Sequence, residues 1–301
     1  MKKTYCKQLV IGLPSSGKTT FIAALWHTVT NDEVPGALKL EKLHGDSKHL
    51  NAIKSAWIKC CPVDRTISSD EIVSMRLTHP DNNESVELHL PDISGESFNS
   101  QWKDRKWKQS YDDLVKESKG ALLFIHPHKT ESMERIDHAD ALLSELGEEF
   151  NNSEDQTEQE RTTSHNIPEK KTEDFSSNWN PDKASTQVKL VELLQFAALR
   201  LNSDSEFRIA VIISAWDILL DKRVSPEKWL NSRVPLLSQY LKANSEQFPF
   251  KVYGISAQGA EYSDEKNIDL HFSLNQSERI LVVEDGAESN DITKPVKWVM
   301  G

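Results

Sequence analysis

The sequence contains little cysteine. Only three of its 301 residues are cysteines, at positions 6, 60 and 61. An unpaired set of this kind excludes a disulfide framework. The adjacent Cys60 and Cys61 also lack the CxxC spacing and the neighbouring histidines of a zinc site. We therefore interpret the cysteines as reduced thiols of a cytosolic protein.

The chain also lacks an excess of positive charge. It carries 36 lysines and arginines against 47 acidic residues, a net charge of −11. Nucleic acids and anionic membranes repel an acidic protein. We therefore predict neither a nucleic-acid partner nor a membrane partner, and expect its partners to be proteins.

No long apolar run is visible in the sequence. The first residues, MKKTYCKQLVIG, pass from two lysines into a short apolar stretch that ends at Gly12. This stretch is too short for a signal-peptide core or a membrane span. We see no targeting segment and expect a cytoplasmic location.

Apolar runs and helical patterns alternate along the chain. The runs predict strands at Tyr5–Ile11, Ile72–Leu77, Val86–Leu90, Ala121–Ile125, Ile209–Ile213 and Phe250–Tyr253. Helices are predicted from about Lys18 to Val29 and around 101–118, 184–202 and 226–243. The turn formers at 79–84 join the second and third strands as an antiparallel hairpin. We predict one α/β domain over residues 1–301, with a mostly parallel sheet, one antiparallel hairpin strand and helices on both faces.

Residues 148–183 differ in composition from the rest of the chain. This stretch holds ten acidic and four basic side chains and accounts for −6 of the net charge of −11. So polar a stretch buries too little apolar surface to offset its ordering entropy. We predict a solvated, disordered insertion here, and a docking site for a basic partner is the alternative.

An eight-residue motif follows the first predicted strand. The sequence GLPSSGKT at positions 12–19 matches GxxxxGK[ST] at every fixed position. Its glycines allow backbone N–H groups to approach a phosphate, while Lys18 reaches the β and γ oxygens and Thr19 binds Mg²⁺. The nucleotide-binding residues predicted here are Gly12, Pro14, Ser15, Ser16, Gly17, Lys18, Thr19 and Thr20. A Gly/Ser-rich surface turn is the alternative, but the strand–loop–helix context favours a three-layer P-loop NTPase fold.

A second motif ends the predicted hairpin. The sequence LPDISGE at 90–96 contains DxxG, in which Asp92 is placed to meet Mg²⁺ through water and Gly95 to offer its N–H to the γ-phosphate. The bare tetrapeptide also occurs in ordinary turns. Its position after a hairpin, downstream of the phosphate loop, favours the Mg²⁺ interpretation.

Two further strand ends carry residues suited to a base. After the strand at 207–213 comes Ser-Ala-Trp-Asp, where Asp217 can accept hydrogen bonds from guanine N1–H and its 2-amino group, a donor pair that adenine lacks. An N-cap or turn aspartate is the alternative. Ser256 and Ala257 end the next predicted strand.

These motifs resemble those of the Ras-like GTPases of the translation-factor superfamily over about residues 5–127 and 184–300. The segments GLPSSGKTTFIAALW and DISGESF look more narrowly like the bacterial double-GTPase group, which is encoded in predicted conflict or defence operons. The resemblance implies GTP and GDP as ligands and Mg²⁺ as cofactor. It further implies a regulatory switch that acts on an effector or regulator protein, in a complex with operon-encoded partners. It also implies that a backbone N–H of the Ser256-Ala257 loop contacts guanine O6. The chain departs from the [NT]KxD pattern, since Ser214 and Ala215 replace the Asn and Lys.

Such GTPases carry a threonine between the P-loop helix and DxxG that closes over Mg²⁺ and the γ-phosphate. The resemblance assigns this role to Thr66, with Ser68 and Ser69 as alternatives, all of which are also common loop residues. Arg65 is a candidate arginine finger in cis or a solvated surface side chain. Glu96 stands where Ras-like proteins often have a water-orienting glutamine, and repulsion from the γ-phosphate predicts slow hydrolysis.

A basic, aromatic cluster and a pair of histidines are not assigned to the nucleotide site. Trp102, Lys103, Arg105, Lys106, Trp107 and Lys108 form a basic, aromatic cluster, whose tryptophans we expect to pack in the core or against a regulator. His126 and His128 lack matched carboxylates or cysteines, so we discount metal binding there.

Two alternative functions stay open. One is a non-hydrolysing nucleotide-binding scaffold, and the other is a P-loop small-molecule or nucleotide kinase, although no arginine-rich lid is evident.

Overall fold

The computed structural model describes residues 5–61, 73–82, 84–90, 96–130, 181, 184–201, 206–260 and 274–301. Residues 1–131 and 184–301 form one compact unit, and residues 132–183 are assigned to a second. All described residues except Pro181 belong to the first unit. The acidic stretch predicted at 148–183 lies outside the described residues apart from Pro181.

The first unit is built on one sheet, which has nine strands among the described residues. The strands are β1 (Cys6–Gly12), β2 (Lys39–His44), β3 (Val73–Thr78), β4 (Ser85–Leu90), β5 (Ser118–Ile125), β6 (Arg208–Ser214), β7 (Phe250–Ser256), β8 (Leu281–Glu284) and β9 (Ala287–Ser289). Their order across the sheet is β2-β3-β4-β1-β5-β6-β7-β8-β9. Every strand predicted from the sequence is present.

The central strands are parallel, as predicted. β4, β1, β5, β6 and β7 run in one direction, so their carboxyl ends lie at one edge of the sheet. β3 pairs antiparallel with β4 in the predicted hairpin, where His79 N–H donates to the carbonyl of Glu84 at 2.8 Å. The sequence did not predict β2, β8 and β9, which extend the two sides of the sheet in antiparallel pairs. These strands are short and partly exposed, so their apolar pattern is weak.

Eight α-helices are present among the described residues. They are α1 (Lys18–Thr30), α2 (Ser47–Ile58), α3 (Glu96–Asp104), α4 (Gln109–Glu117), α5 (Thr186–Ala198), α6 (Pro226–Arg233), α7 (Pro235–Ala243) and α8 (Lys294–Met300). Two predicted helices are each divided in two. Pro235 lacks a backbone N–H and ends the α6 hydrogen-bond ladder, while Arg105, with φ of 54°, breaks the helical path between α3 and α4.

Helices cover both faces of the sheet, as predicted. Side chains of α1, α2 and α8 pack on one face, and those of α3 to α7 pack on the other. Trp102 is 5% exposed in the interior, and Trp107 packs edge-on against Tyr111 with ring centroids 4.8 Å apart. These contacts account for the two tryptophans of the basic, aromatic cluster. Among the described residues, no helix is long and apolar enough to cross a membrane.

Candidate functional site

The loop between β1 and α1 has the compact backbone that the GxxxxGK[ST] motif predicts. Gly17 has φ of 90°, a left-handed conformation that favours glycine. A Cβ at Gly17 would lie 2.6 Å from both Cβ and Oγ of Ser214, and a Cβ at Gly12 would lie 2.9 Å from Oγ of Ser16. Only glycines therefore allow the loop to fold this closely onto the end of β6 and onto itself.

The ammonium group of Lys18 is held inside this loop. Lys18 is the first residue of α1 and only 2% exposed. Its Nζ donates to the carbonyls of Gly12 and Leu13 at 2.8 Å each and to Oγ of Ser16 at 3.3 Å. These neutral acceptors fix the position of the cation at the N-terminal end of α1, where the helix dipole also favours an anion.

The other predicted residues of the loop and of the first turn of α1 differ in exposure. Ser16 is buried, Pro14 is partly buried and Ser15 is exposed with φ of 59°. Thr19 and Thr20 lie in the first turn of α1, and Thr20 lines a cavity beside the loop.

That cavity lies at the carboxyl edge of the sheet and has a volume of about 220 Å³. In open α/β sheets, ligands bind in such crevices beyond the carboxyl ends of the strands. The cavity is lined by Gly17, Thr20, Phe21, Phe124, His126, His128, Ile212, Ser214, Ala215, Asp217, Ile218, Ile255, Ser256, Ala257, Gln258 and Ala260. The structure thus brings the phosphate loop together with Asp217, Ser256 and Ala257, which the sequence analysis selected independently.

Asp217 reaches the cavity through an irregular turn after β6. Ala215 has φ of 47°, and a 3₁₀ helix then covers Trp216–Lys222. The N-cap of this helix is Ala215, so Asp217 is not an N-cap residue, whereas its interpretation as a turn aspartate stays an alternative. Instead, its Oδ1 accepts a hydrogen bond from Oγ of Ser256 at 2.5 Å.

Ser256 therefore joins two strand ends. Besides donating to Asp217, its Oγ accepts a hydrogen bond from the N–H of Gly259 at 3.0 Å. These two bonds shape the turn that carries Ala257 and leave the side chain of Asp217 on the cavity wall. A carboxylate at this position offers acceptor oxygens to a ligand with paired N–H donors.

His126 and His128 also line the cavity, although the sequence analysis gave them only a structural role. They follow the end of β5, and Nδ1 of His126 accepts a hydrogen bond from the backbone N–H of His128 at 3.2 Å. Burial and the nearby His128 and Lys129 lower the pKa of His126, against an opposing effect of Asp217. Both histidines directly follow a predicted strand, and this position was the sequence signal for their placement. Because β5 lies between β1 and β6, its carboxyl end is next to the cavity.

Several predicted site residues cannot be placed in the same way. Arg65, Thr66, Asp92 and Gly95 lie outside the described residues. For Glu96, the structure describes the backbone, at the first position of α3. Among the predicted Mg²⁺ ligands, Thr19 alone is described, at the phosphate-loop end of α1.

Comparison with known proteins gives matches among solved structures, while no curated protein sequence matches the chain. A bacterial selenocysteine-specific elongation factor, EF-Sec, is 14% identical, with 91% of this chain and 30% of that chain covered and a TM-score of 0.35. The signal recognition particle receptor SRb-GTP/SRX complex from Chaetomium thermophilum is 12% identical, with coverages of 90% and 99% and a TM-score of 0.39. The S. cerevisiae Ski7 GTPase-like domain, bound to GTP, is 13% identical, with coverages of 87% and 45% and a TM-score of 0.40. The chain thus spans less than half of the elongation factor and of the Ski7 chain.

Comparison with protein families gives a match over almost the whole chain. The sequence model of the family named Double-GTPase 1 matches residues 9–299. The matched range includes the phosphate loop, every residue that lines the cavity and the carboxyl ends of the central strands. The chain belongs to the Double-GTPase 1 family.

Proposed function

We propose that this protein binds GTP and GDP in the cavity, hydrolyses GTP slowly to GDP and phosphate, and acts as a regulatory switch on a protein partner. The observation that carries the proposal is the shared wall of the cavity, which is lined by Gly17 of the phosphate loop and Thr20 of α1 together with Asp217 and Ala257. A phosphate site and an acceptor for a purine base therefore lie within reach of one nucleotide.

The phosphate end of the nucleotide is proposed to bind at the loop. Lys18 would exchange neutral carbonyl acceptors for anionic β and γ oxygens, which form stronger charge-assisted hydrogen bonds. Backbone N–H groups of the loop and of the first turn of α1 would surround the β-phosphate.

The base end is proposed to bind at Asp217. Its carboxylate matches the N1–H and 2-amino donors of guanine, and the backbone N–H of Ala257 matches the 6-oxo acceptor. With Ala215 in place of a lysine, the chain has no long apolar stem at this position to cover the base. We therefore expect weaker affinity than a full NKxD motif provides.

Mg²⁺ is proposed to be held by Thr19, Thr66 and Asp92, and it would neutralise charge on the transferring phosphoryl group. Of these ligands, Thr19 lies beside Lys18 at the start of α1. β4 pairs in parallel with β1, so the chain leaves β4 at Leu90, shortly before Asp92, at the sheet edge where β1 enters the phosphate loop. This direction of the two strands supports Asp92 as the metal-facing carboxylate.

Hydrolysis is proposed to be slow. Glu96 follows DxxG, and a carboxylate there is repelled by the anionic γ-phosphate, so it orients water less well than a glutamine does. Arg65 is proposed to offset this charge in cis, and a cation supplied by an activating partner protein is the alternative. The likeness of the sequence to double-GTPases of conflict or defence operons suggests that an effector or regulator encoded nearby is the protein that reads the bound nucleotide.

A titration with GTP, GDP and ATP, with and without Mg²⁺, followed by analysis of the products, tests the proposal. We expect GTP and GDP to bind more tightly than ATP, Mg²⁺ to strengthen GTP binding, and GDP and phosphate to appear slowly. Binding without product would favour the non-hydrolysing scaffold. Transfer of the γ-phosphate to a small molecule would favour a kinase, and equal affinity for ATP would contradict the guanine site.

A further inference from the structure

A buried cluster on the α1 face of the sheet contacts the loop that carries Ala257. Trp57 of α2 is fully buried, and its indole Nε1 donates a hydrogen bond to the carbonyl of Ala257 at 2.8 Å. The two residues are 200 positions apart in the chain. Ala257 itself is 7% exposed and lines the cavity, so the indole supports the cavity wall from behind.

The ring of Trp57 is fixed by contacts on α1 and on the segment before β8. The guanidinium carbon of Arg279 lies 4.6 Å from its ring centroid, a cation–π contact. The ring of His27 lies against it as well, with centroids 5.1 Å apart. An indole held in this way presents its N–H in one direction only.

Arg279 is an unusual residue for such a place. It is 4% exposed, its Nη1 donates to Sγ of Cys60 at 2.6 Å, and its Nε and Nη2 have no hydrogen-bond partner among the described residues. Burying a cation with incomplete pairing costs free energy. The cation–π contact with the face of Trp57 offsets part of this cost and holds the guanidinium against the ring.

A second contact holds the segment that carries Arg279. Oγ of Ser277 donates to Oε2 of Glu33 at 2.8 Å, and the same carboxylate oxygen lies 3.1 Å from Nε2 of His27. The 3₁₀ helix Gln276–Arg279 is thereby tied to the C-terminal end of α1. The phosphate-loop helix, α2 and this segment therefore meet around one indole.

We propose that Trp57 is a positioning residue for the base-binding loop: its N–H holds the carbonyl of Ala257 so that the backbone N–H of this loop stays aligned with the 6-oxo group of guanine. The inference rests on the proposed function and deepens it, since it makes base recognition depend on α2. The base-binding loop is then joined to α2 by the hydrogen bond from Trp57 to Ala257.

The test compares Trp57→Phe with Trp26→Phe. Trp26 is a matched control, because it is a buried tryptophan in the same core and its Nε1 donates to Oδ1 of Asn51 at 3.0 Å, away from the cavity. Binding of GTP, ITP and ATP is measured for both variants and for the unchanged protein. GTP and ITP share the 6-oxo group and differ in the 2-amino group, whereas ATP lacks the 6-oxo group.

We expect Trp57→Phe to weaken GTP and ITP by the same factor, about five- to tenfold for one lost hydrogen bond, with ATP affinity unchanged. Trp26→Phe should leave all three affinities unchanged, although both variants lower the melting temperature. Replacing the indole of Trp57 with a benzothiophene, which has the same shape and no N–H donor, should reproduce the loss if the phenylalanine variant folds poorly.

Identical nucleotide affinities in the two phenylalanine variants would overturn the inference. An equal loss for GTP, ITP and ATP would do the same, because it would show that Trp57 stabilises the whole chain and not the contact to the 6-oxo group. The proposed function fails by a different result, namely when the unchanged protein itself does not prefer GTP to ATP.

Discussion

Single side chains at the cavity combine structural and ligand-binding roles. Lys18 is bonded to two carbonyls of its own loop, and Asp217 accepts a hydrogen bond from Ser256. Groups that are already held in position lose little side-chain entropy when a ligand binds. The binding of a ligand at these residues therefore loses less of its free energy to ordering of side chains.

Lys18→Ala is predicted to abolish triphosphate binding. The substitution removes an ammonium group that compensates the β and γ oxygens, and the affinity for GTP should fall at least about a hundredfold. Titration of the folded variant with GTP measures the loss, and Lys228→Ala, at an exposed position of α6, is the control. Unchanged affinity for both GTP and ATP in Lys18→Ala would disprove the phosphate-loop assignment.

Asp217→Asn is predicted to change the preferred base. The Oδ1 of an asparagine still accepts from Ser256, so its amide nitrogen replaces the second carboxylate oxygen. That nitrogen donates where the carboxylate accepted, which disfavours the 2-amino group of GTP and favours the 2-oxo group of xanthosine triphosphate. The preference should move by about ten- to a hundredfold toward xanthosine triphosphate.

Binding of GTP, XTP and ATP to Asp217→Asn checks this prediction. Melting temperatures of the variant and the unchanged protein show whether the link to Ser256 is kept. If XTP gains nothing and GTP loses nothing, Asp217 does not contact the base.

At the scale of elements, the site depends on how strand ends pack against their neighbours. Gly254 of β7 lies against the buried indole of Trp216, the residue before Asp217. A Cβ at Gly254 would approach the indole to 2.3 Å. Because Gly254 has no side chain, the 3₁₀ helix Trp216–Lys222 can lie close to β7.

Gly254→Ala is predicted to lower both stability and GTP affinity. Overpacking of this kind typically costs about 1–3 kcal/mol, and the displaced indole would move Asp217 with it. Gly36→Ala is the comparison, since its Cβ would enter open space and adds only the strain of a positive φ. Chemical denaturation and GTP titration of both variants measure the effects. Equal GTP affinities for the two variants would show that the packing of Trp216 does not position Asp217.

At the scale of the whole molecule, the two residues that flank the segment 130–185, Lys129 and Thr186, contact each other in the first unit. Oγ1 of Thr186, at the start of α5, donates to the carbonyl of Lys129 at 2.7 Å. The chain therefore leaves the first unit and returns to it, 56 residues later, at neighbouring positions. A short connection can bridge such a gap at little entropic cost.

Deletion of about Asn151 to Asp182 is predicted to leave folding and nucleotide affinity nearly unchanged. Polar insertions contribute few contacts to a core, and the contact between Thr186 and Lys129 keeps the flanking ends together. The melting temperature and the GTP affinity of the deletion variant are the measurements. A large fall in melting temperature would show that the segment is part of the core.

Stability is predicted to fall as the pH decreases from about 7 to about 5. Burial lowers the pKa of His27, His49, His89 and His126 below the ordinary value of 6.5. Below that value, the unfolded chain binds protons that the folded chain excludes, so protonation favours unfolding. Above it, the histidines are neutral in both states and the stability no longer depends on them.

His89 provides the sharpest test of this pH dependence. It is 7% exposed, and neither of its ring nitrogens has a hydrogen-bond partner among the described residues. His89→Gln, which does not titrate, should lose less stability between pH 7.5 and 5.5 than the unchanged protein does. Denaturation at the two pH values measures the difference, and equal losses would exclude His89 as a contributor.

The sequence by itself determined the features that depend on local pattern. Gly12, Gly17 and Lys18 have fixed spacing, and alternating apolar runs predict buried strands, so the phosphate loop, the central strands and the fold class were all predictable. The weakly patterned β2, β8 and β9 were not, because their pairing comes from neighbours distant in the chain.

Only the tertiary structure decided which residues share the cavity. The hydrogen bond from Ser256 to Asp217 and that from Trp57 to Ala257 join residues 39 and 200 positions apart, and no local pattern carries such a contact. His126 and His128 likewise became part of the cavity wall because β5 lies between β1 and β6. Strand order, which depends on long-range packing, therefore assembled a site whose separate motifs were already visible in the sequence.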